Sequence, residues 1–247
     1  MFDWMPNWAR GALWQLKHAA VEWLFRRGQV ESFEVALAHQ LKGLRITHVL
    51  DVGANRGQFA RRVRRLGYAG EIVSFEPVSA CYEELSRHAK NDGHWTAHKL
   101  ALGDCTTVRT INVARLDVMS SILEPNADSF ALLPDEGEVV QTEEIHVRQL
   151  GELLPDIVPF EQWGRTHLKL DTQGYDLRVL CGLGRALQSI NSLQAELSVI
   201  PIYEGQQDYV TSLAFLRESG FRPTCVYPIQ RVAGGQVLEF DALFSRA

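Results

Sequence analysis

The sequence has no pair of cysteines spaced as C-x-x-C, and its four cysteines lie far apart along the chain. This spacing argues against a zinc site or a dithiol redox centre and favours free thiols in a cytoplasmic protein. No apolar run approaches the length of a membrane-spanning helix. Charged residues such as Asp3 and Arg10 interrupt the N-terminal region where a signal peptide would be apolar. We therefore expect a cytoplasmic protein without a transmembrane segment.

The sequence also lacks a long basic block. Its 25 lysines and arginines are outnumbered by 30 acidic residues, which gives a formal net charge of −5. The one arginine cluster, Arg61 to Arg65, falls on a predicted helix and is best explained as a solvated face. We expect no nucleic-acid partner. The 247 residues, 46% of them hydrophobic, suffice for one large domain with a full core.

A strand, a glycine-rich turn and a helix follow one another from residue 46. The stretch ITHVLDVGANRG gives an apolar run, then Asp51, then a turn containing Gly53 and Gly57. Glycines let the backbone approach a ligand closely, and the helix start offers unpaired N–H groups to an anion. A third glycine and a Gly-Lys-Ser/Thr sequence are both missing, which weakens a dinucleotide fingerprint and excludes a phosphate loop. The pattern predicts the first unit of a nucleotide-binding α/β sheet, and the alternative is an ordinary βα turn without a ligand.

A second acidic signal stands at Glu76, after the apolar run of residues 71–75. A carboxylate at the tip of the second strand lies where a ribose binds in such folds, and it can accept hydrogen bonds from both hydroxyls. The alternative, a surface glutamate without a ligand, is less consistent with the glycine turn that precedes it.

Strand and helix patterns alternate through most of the chain. Strands are predicted at 46–52, 71–75, 95–102, 108–113, 143–147, 166–170, 192–199, 223–227 and 238–245, and helices at 58–66, 79–90, 147–154, 175–183 and 210–219. The turn-rich stretch after residue 118 is expected to form a loop over the pocket mouth. The alternation predicts a mostly parallel sheet that ends in an antiparallel hairpin.

Residues 1–43 are predicted to form a helical extension ahead of a main domain at 44–247. Four of the six tryptophans lie in this extension. Packing on the main domain or pairing of two subunits in a homodimer explains these aromatics best. Two alternatives are a lid over the substrate pocket and peripheral contact with a membrane surface.

The stretches LDVGANRG, SFEP, ALGD, LKLDTQGYD and LQAEL occur in this order, and with them the chain resembles S-adenosylmethionine-dependent methyltransferases of the FkbM type. The resemblance runs from about residue 44 to the C-terminus. It implies a class I methyltransferase fold: a Rossmann-like, seven-stranded, mostly parallel sheet with an antiparallel C-terminal strand. The chain departs from the usual family wording at Gln173, where glutamate is common.

The resemblance also implies a set of residues that bind the cofactor, S-adenosylmethionine. Its amino group would lie near Asp51 and the carbonyl of Gly53, and its carboxylate near Asn55. Ala101 and Leu102 would contact the adenine, and the carboxylate of Asp104 would accept a hydrogen bond from the exocyclic amine. The complete cofactor-binding set is Asp51, Gly53, Ala54, Asn55, Gly57, Phe59, Glu76, Pro77, Ala101, Leu102, Asp104, Ser121 and Asp171.

The acceptor is expected to be a hydroxyl on a sugar or other glycan, a polyketide or a related small molecule. An alcohol oxygen needs a base or a metal to remove its proton as the new bond forms. Asp171, at the end of the fourth parallel strand, is the first candidate for the base. In a second mechanism Asp171 and Glu196 together hold Mg²⁺. Glu196 and His146 are further candidates for the catalytic group.

Two other functions compete with methyl transfer. An NAD-dependent oxidoreductase would use the same type of sheet, although the missing third glycine argues against it. A non-catalytic binding module with a Rossmann-like sheet is the other alternative.

Overall fold

The computed structural model describes residues 32–130, 137–232 and 234–246. Most of the extension predicted at residues 1–43, including its tryptophans, lies outside these ranges. The boundary at residue 43 and the roles proposed for the extension therefore stay predictions. Among the described residues, no helix is long and apolar enough to cross a membrane.

The described chain forms two β-sheets. Their strands are β1 (His48–Val52), β2 (Glu71–Phe75), β3 (Trp95–His98), β4 (Ala101–Leu102), β5 (Thr107–Ala114), β6 (Val139–Arg148), β7 (Thr166–Leu170), β8 (Ser192–Ser198), β9 (Phe221–Arg231) and β10 (Val237–Arg246). The larger sheet has seven strands in the order β3-β2-β1-β7-β8-β10-β9. Neighbours from β3 to β8 are parallel, and β10 runs antiparallel to both β8 and β9. The predicted class I methyltransferase architecture is thereby confirmed.

Helices precede the sheet and connect its strands. They are α1 (Phe33–Gly43), α2 (Gln58–Arg65), α3 (Ser79–Lys90), α4 (Ala127–Phe130), α5 (Leu150–Ile157), α6 (Asp176–Leu183) and α7 (Tyr209–Glu218). Local capping fixes two of the starts: Ser32 accepts a hydrogen bond from the N–H of Val35, and Asp208 accepts one from Thr211. The helix predicted at 147–154 begins later, at Leu150, because the preceding residues belong to β6.

Hydrophobic clusters cover both faces of the large sheet. Val49 of β1 packs with α1, α2 and α3 on one face, whereas Leu50 and Val52 pack with α5 and α6 on the other. Because helices cover both faces, residues that point to either side are buried along β1, β7 and β8. Asp51 points to the same face as Val49 and is wholly buried.

The smaller sheet has the order β4-β6-β5. The predicted hairpin exists, with β5 and β6 antiparallel and longer than expected. The prediction of one strand at 95–102 is wrong: the chain turns at Lys99 and Leu100, so that β3 joins the large sheet and β4 pairs with β6. The smaller sheet thus stands beside the carboxyl ends of the parallel strands.

Candidate active site

A cleft opens at the carboxyl ends of β1, β2 and β7, where open parallel sheets bind their ligands. It encloses about 640 Å³ of empty space, counting the part open to solvent. The cleft is lined by Val52, Gly53, Asn55, Phe75, Glu76, Pro77, Val78, Leu100, Ala101, Leu102, Ile111, Asp117, Val118, Ser120, Ser121, Ile122, Asp171, Thr172, Gln173 and Tyr175.

The glycine turn directly after β1 forms one wall. The N–H groups of Gly53 and Ala54 both donate to the carbonyl of Phe75, at 3.1 and 3.0 Å. Gly53 has φ of +71°, and a Cβ at this position would lie 1.8 Å from the carbonyl oxygen of Asp171. The turn therefore packs against the end of β7 at a distance that only glycine permits.

Glu76 stands opposite the turn and is only 5% exposed. Its Oε2 accepts a hydrogen bond from the N–H of Asn55 at 2.8 Å, and its Oε1 accepts one from Val78 at 2.8 Å. Burial raises the pKa of Glu76 to about 7, although these two donors and Lys169 favour the charged form. Each carboxylate oxygen keeps lone-pair capacity for a ligand hydroxyl.

A buried ion pair lies beneath the turn. Lys169 of β7 is in register with Asp51 of β1, and its Nζ lies 3.1 Å from Asp51 Oδ1. The same Nζ donates to the carbonyl of Gly53 at 2.9 Å and lies 3.4 Å from Asp171 Oδ2. Burial lowers the pKa of Lys169, but Asp51 and Asp171 more than offset this and hold it above its ordinary value. The ammonium thus joins the turn to the end of β7.

Asp171 forms the floor of the cleft. Its backbone N–H donates to the carbonyl of Val52 at 3.1 Å, which fixes it at the exit of β7. Its side chain is 42% exposed. Oδ1 accepts a hydrogen bond from Gln173 Nε2 at 3.1 Å, and Oδ2 faces Lys169. A ligand in the cleft can therefore reach this carboxylate.

A short 3₁₀ turn at Asp117–Met119 roofs the cleft. Asn55 Nδ2 donates to Asp117 Oδ1 at 3.2 Å, and Arg56 Nε donates to Asp117 Oδ2 at 2.7 Å. Arg56 also binds Glu84 Oε2 at 2.6 Å. Asn55 and Arg56 thus link this 3₁₀ turn to the glycine turn, and Arg56 also links it to α3. The 3₁₀ turn adjoins the loop that was expected over the pocket mouth.

The sequence profile described as "Methyltransferase FkbM domain" matches residues 51–223, well over half of the chain. The chain belongs to the FkbM methyltransferase domain family. The match covers the glycine turn, Glu76 and Asp171, which the structure brings to one cleft. It decides against the NAD-dependent oxidoreductase that competed in the sequence analysis. No curated protein matches this chain in sequence.

Solved structures of methyltransferases are similar in fold. A methyltransferase FkbM from Methylobacillus flagellatus KT is 13% identical with a TM-score of 0.48; the match covers 80% of this chain and 43% of that one. An rRNA methylase from Streptococcus thermophilus is 10% identical with a TM-score of 0.46 and coverages of 88% and 98%. Aeropyrum pernix fibrillarin, solved with natively bound S-adenosyl-L-methionine, is 11% identical with a TM-score of 0.46 and coverages of 84% and 73%. This chain therefore spans less than half of the Methylobacillus protein.

The cleft of this FkbM domain fits S-adenosylmethionine. A buried carboxylate, Glu76, faces the cleft, and apolar side chains such as Leu102, Ile111 and Ile122 form the adjoining wall. An acceptor for a diol beside an apolar surface for a flat base is what an adenosyl group requires.

Eight of the residues predicted to bind the cofactor line the cleft of the FkbM domain: Gly53, Asn55, Glu76, Pro77, Ala101, Leu102, Ser121 and Asp171. Their contact with the cofactor stays a prediction. The other five do not line it. Ala54 and Phe59 are buried, Gly57 packs on Trp95, and Asp51 is held by Lys169.

The fifth of these residues, Asp104, is also placed differently from the prediction. Its carboxylate accepts a hydrogen bond from Arg178 Nη1 at 2.9 Å and lies outside the cleft. The structure thus gives the adenine-binding role predicted for Asp104 no support.

His146 is also placed differently from the prediction. It lies on β6, where Ile145 and Val147 are buried, so the strand's alternation turns His146 to solvent. It does not line the cleft, and the structure offers it no position from which to act as a base.

Glu196 and the predicted Mg²⁺ site need correction as well. Glu196 lies on β8 behind the cleft, and Gln173 Nε2 stands between it and Asp171, at 2.9 Å from Glu196 Oε2 and 3.1 Å from Asp171 Oδ1. An amide donor occupies the place where a shared cation would bind. Among the described residues, no group of three or more histidine, cysteine or acidic side chains is arranged to hold a metal. Mg²⁺ therefore does not fit this pair, and burial raises the pKa of Glu196 well above its ordinary value.

Sequence reasoning expected a loop over the pocket but did not predict which of its residues line the cleft, and it missed the apolar wall. Asp117, Val118 and Ile122 come from the loop after β5, and Ile111 comes from β5 itself. The acidic, turn-rich composition indicated a loop, but it did not show which part of the chain the loop contacts. Arg56, inside the glycine turn, was the available signal that an acidic side chain packs against this turn.

Proposed function

We propose that this chain transfers the methyl group of S-adenosylmethionine to a hydroxyl oxygen of a small molecule such as a sugar or a polyketide. S-adenosylmethionine supplies an electrophilic methyl carbon. The observation that carries the proposal is the partly exposed carboxylate of Asp171, which shares one cleft with the glycine turn and Glu76. A hydroxyl is a weak nucleophile at neutral pH, and a carboxylate within reach accepts its proton as the new bond forms.

The surrounding residues have distinct roles in this proposal. Glu76 accepts hydrogen bonds from the ribose hydroxyls, and the wall near Leu102 and Ile111 contacts the adenine. Lys169, 3.4 Å from Asp171 Oδ2, balances the charge of the base and holds it at the cleft floor. The turn at Asp117–Met119 covers the cleft and limits the access of water.

The charge of the cleft supports a small acceptor rather than a nucleic acid. The lining includes the acids Glu76, Asp117 and Asp171 and, within the described residues, neither lysine nor arginine. Such a surface repels a phosphate backbone, which basic side chains would have to neutralise. The formal net charge of −5 acts in the same direction.

Asp171→Asn tests the reaction itself. With a labelled methyl donor and a panel of sugar and polyketide alcohols, we expect the unaltered protein to form a base-stable methyl ether. The variant should lower kcat by about 10²–10⁴-fold, because a neutral amide cannot accept the proton. Isothermal titration should show S-adenosylhomocysteine bound by both proteins within a few-fold. Binding of NADH but not S-adenosylhomocysteine, or label found only on amines or carboxylates, would refute the proposal.

Glu76→Gln tests the ribose contact through its pH dependence. With a pKa of about 7, Glu76 must lose a proton before ribose hydroxyls can bind its charged form. We expect the affinity of the unaltered protein for S-adenosylhomocysteine to fall about tenfold from pH 8 to pH 6. The variant should bind about 10-fold or more weakly at pH 8 and show a flat profile.

The matched control is Glu83→Gln, an exposed position on α3. It should reproduce the unaltered affinity at both pH values in the same titrations. A Glu76→Gln protein that retains the full pH dependence would place the ribose elsewhere.

A further inference from the structure

Gln173 lines the cleft, and its side chain makes hydrogen bonds to Asp171, Glu196 and Tyr203. It is 9% exposed and has φ of +50°, a left-handed conformation that is uncommon for residues other than glycine. Its backbone carbonyl accepts a hydrogen bond from Ser121 Oγ at 2.7 Å, which ties it to the loop that lines the cleft. A strained backbone held by several partners at a functional cleft indicates a specific task.

The neighbours of the Gln173 amide determine which way it points. Nε2 lies within hydrogen-bond distance of Asp171 Oδ1 and Glu196 Oε2, and carboxylates accept hydrogen bonds. Oε1 lies 3.0 Å from the hydroxyl of Tyr203, which is also 2.8 Å from the carbonyl of Met119. The reversed amide would set an oxygen against the carboxylate of Asp171, which favours the orientation with the nitrogen on that side.

We propose that Gln173 is a positioning residue: its amide bridges Asp171 and Glu196 in place of a divalent cation and holds Asp171 ready to accept the proton of the substrate. This inference rests on the proposed function. The two N–H donors of one nitrogen satisfy one oxygen of each acid. Asp171 then keeps its orientation without a metal, with Oδ2 toward Lys169 and its exposed surface toward the cleft.

The amide bridge between Asp171 and Glu196 predicts that this pair does not bind a divalent cation. A divalent cation binds carboxylates through the oxygens that the amide nitrogen now contacts, and an N–H donor in that place repels it. Replacing the amide by a third carboxylate removes the donors and sets three acids together, which is the kind of oxygen ligand set that Mg²⁺ and Mn²⁺ prefer. A single substitution, Gln173→Glu, should therefore convert the pair into a cation site.

The first part of the test measures Mn²⁺ by electron paramagnetic resonance and by titration. We expect the unaltered protein to bind Mn²⁺ no more tightly than Gln188→Glu, which adds the same charge at an exposed position. Gln173→Glu should bind at least tenfold more tightly, and Gln173→Glu combined with Glu196→Gln should lose that gain. Tight binding by the unaltered protein that Glu196→Gln abolishes would overturn the inference, as would a folded Gln173→Glu protein without the gain.

The second part of the test measures methyl transfer and cofactor binding, which show whether Gln173 positions Asp171. With an alcohol methylated by the unaltered protein, EDTA should leave kcat unchanged. Gln173→Glu should lower kcat at an unchanged affinity for S-adenosylhomocysteine, and Mn²⁺ should restore part of it. Loss of activity of the unaltered protein in EDTA, reversed by Mn²⁺, would refute metal independence. Failure to bind S-adenosylhomocysteine would instead refute the proposed function, so the two failures are distinguishable.

Discussion

Replacing Gly53 with alanine is expected to abolish binding of S-adenosylhomocysteine and to lower the free energy of unfolding by more than about 3 kcal/mol. The added Cβ would lie 1.8 Å from the carbonyl oxygen of Asp171, so the turn or the exit of β7 must move. The left-handed φ of +71° adds roughly 1–2 kcal/mol of strain. Urea unfolding and isothermal titration measure the two effects.

Alanine substitutions at two other glycines are controls that separate the cost of a left-handed φ from the cost of a steric clash. Gly67 is exposed, has φ of +88° and has no atom within 4 Å of an added Cβ, so Gly67→Ala should cost only about 1 kcal/mol. Gly93 has the same open surroundings without the left-handed φ, and Gly93→Ala should be close to neutral. If Gly53→Ala were no more harmful than Gly67→Ala, the close packing of the turn on β7 would be disproved.

Lys169→Met is expected to destabilise the protein by about 3–5 kcal/mol, because it leaves the carboxylate of Asp51 buried without its cation. Asp51 has no exposed surface, and its Oδ1 lies 3.1 Å from Lys169 Nζ. Methionine fills a similar volume, so the loss reports charge rather than a cavity. Thermal and urea unfolding give the magnitude.

A double variant shows whether the two residues act as a pair. Asp51→Asn combined with Lys169→Met should cost less than the sum of the single changes, since the uncompensated charge is gone. Lys90→Met, at the exposed end of α3, is the control and should change the free energy of unfolding by less than about 0.5 kcal/mol. A Lys169→Met protein as stable as this control would contradict the stabilising role of the Lys169–Asp51 ion pair.

Much of the large sheet could be predicted from the sequence. The strands at 71–75 and 166–170 and the helix at 79–90 have the predicted bounds, because glycine, proline or aspartate residues stand at or near their ends. The glycine turn, Glu76 and Asp171 were placed correctly at strand ends, since the carboxyl ends of parallel strands meet at one edge.

The errors concern partners, which local patterns do not determine. Asp51 was assigned to the cofactor because it precedes the glycine turn, yet the register of β1 with β7 gives it Lys169. The misplaced boundary between β3 and β4 has a similar cause: β4 is two residues long and is defined by its pairing with β6. The exposed position of His146 could have been predicted, since the apolar Ile145 and Val147 reveal which side of β6 faces inward.

The wall of the cleft that the smaller sheet provides can change independently of the large sheet. Ile111, Val113 and Ile145 form a hydrophobic cluster of their own with Val78 and Cys81, separate from the two clusters that stabilise the large sheet. Alterations in this cluster would change the wall that is assigned above to the adenine, while the core of the large sheet remains intact. The affinity of the cleft for its ligand can thus change without loss of the fold.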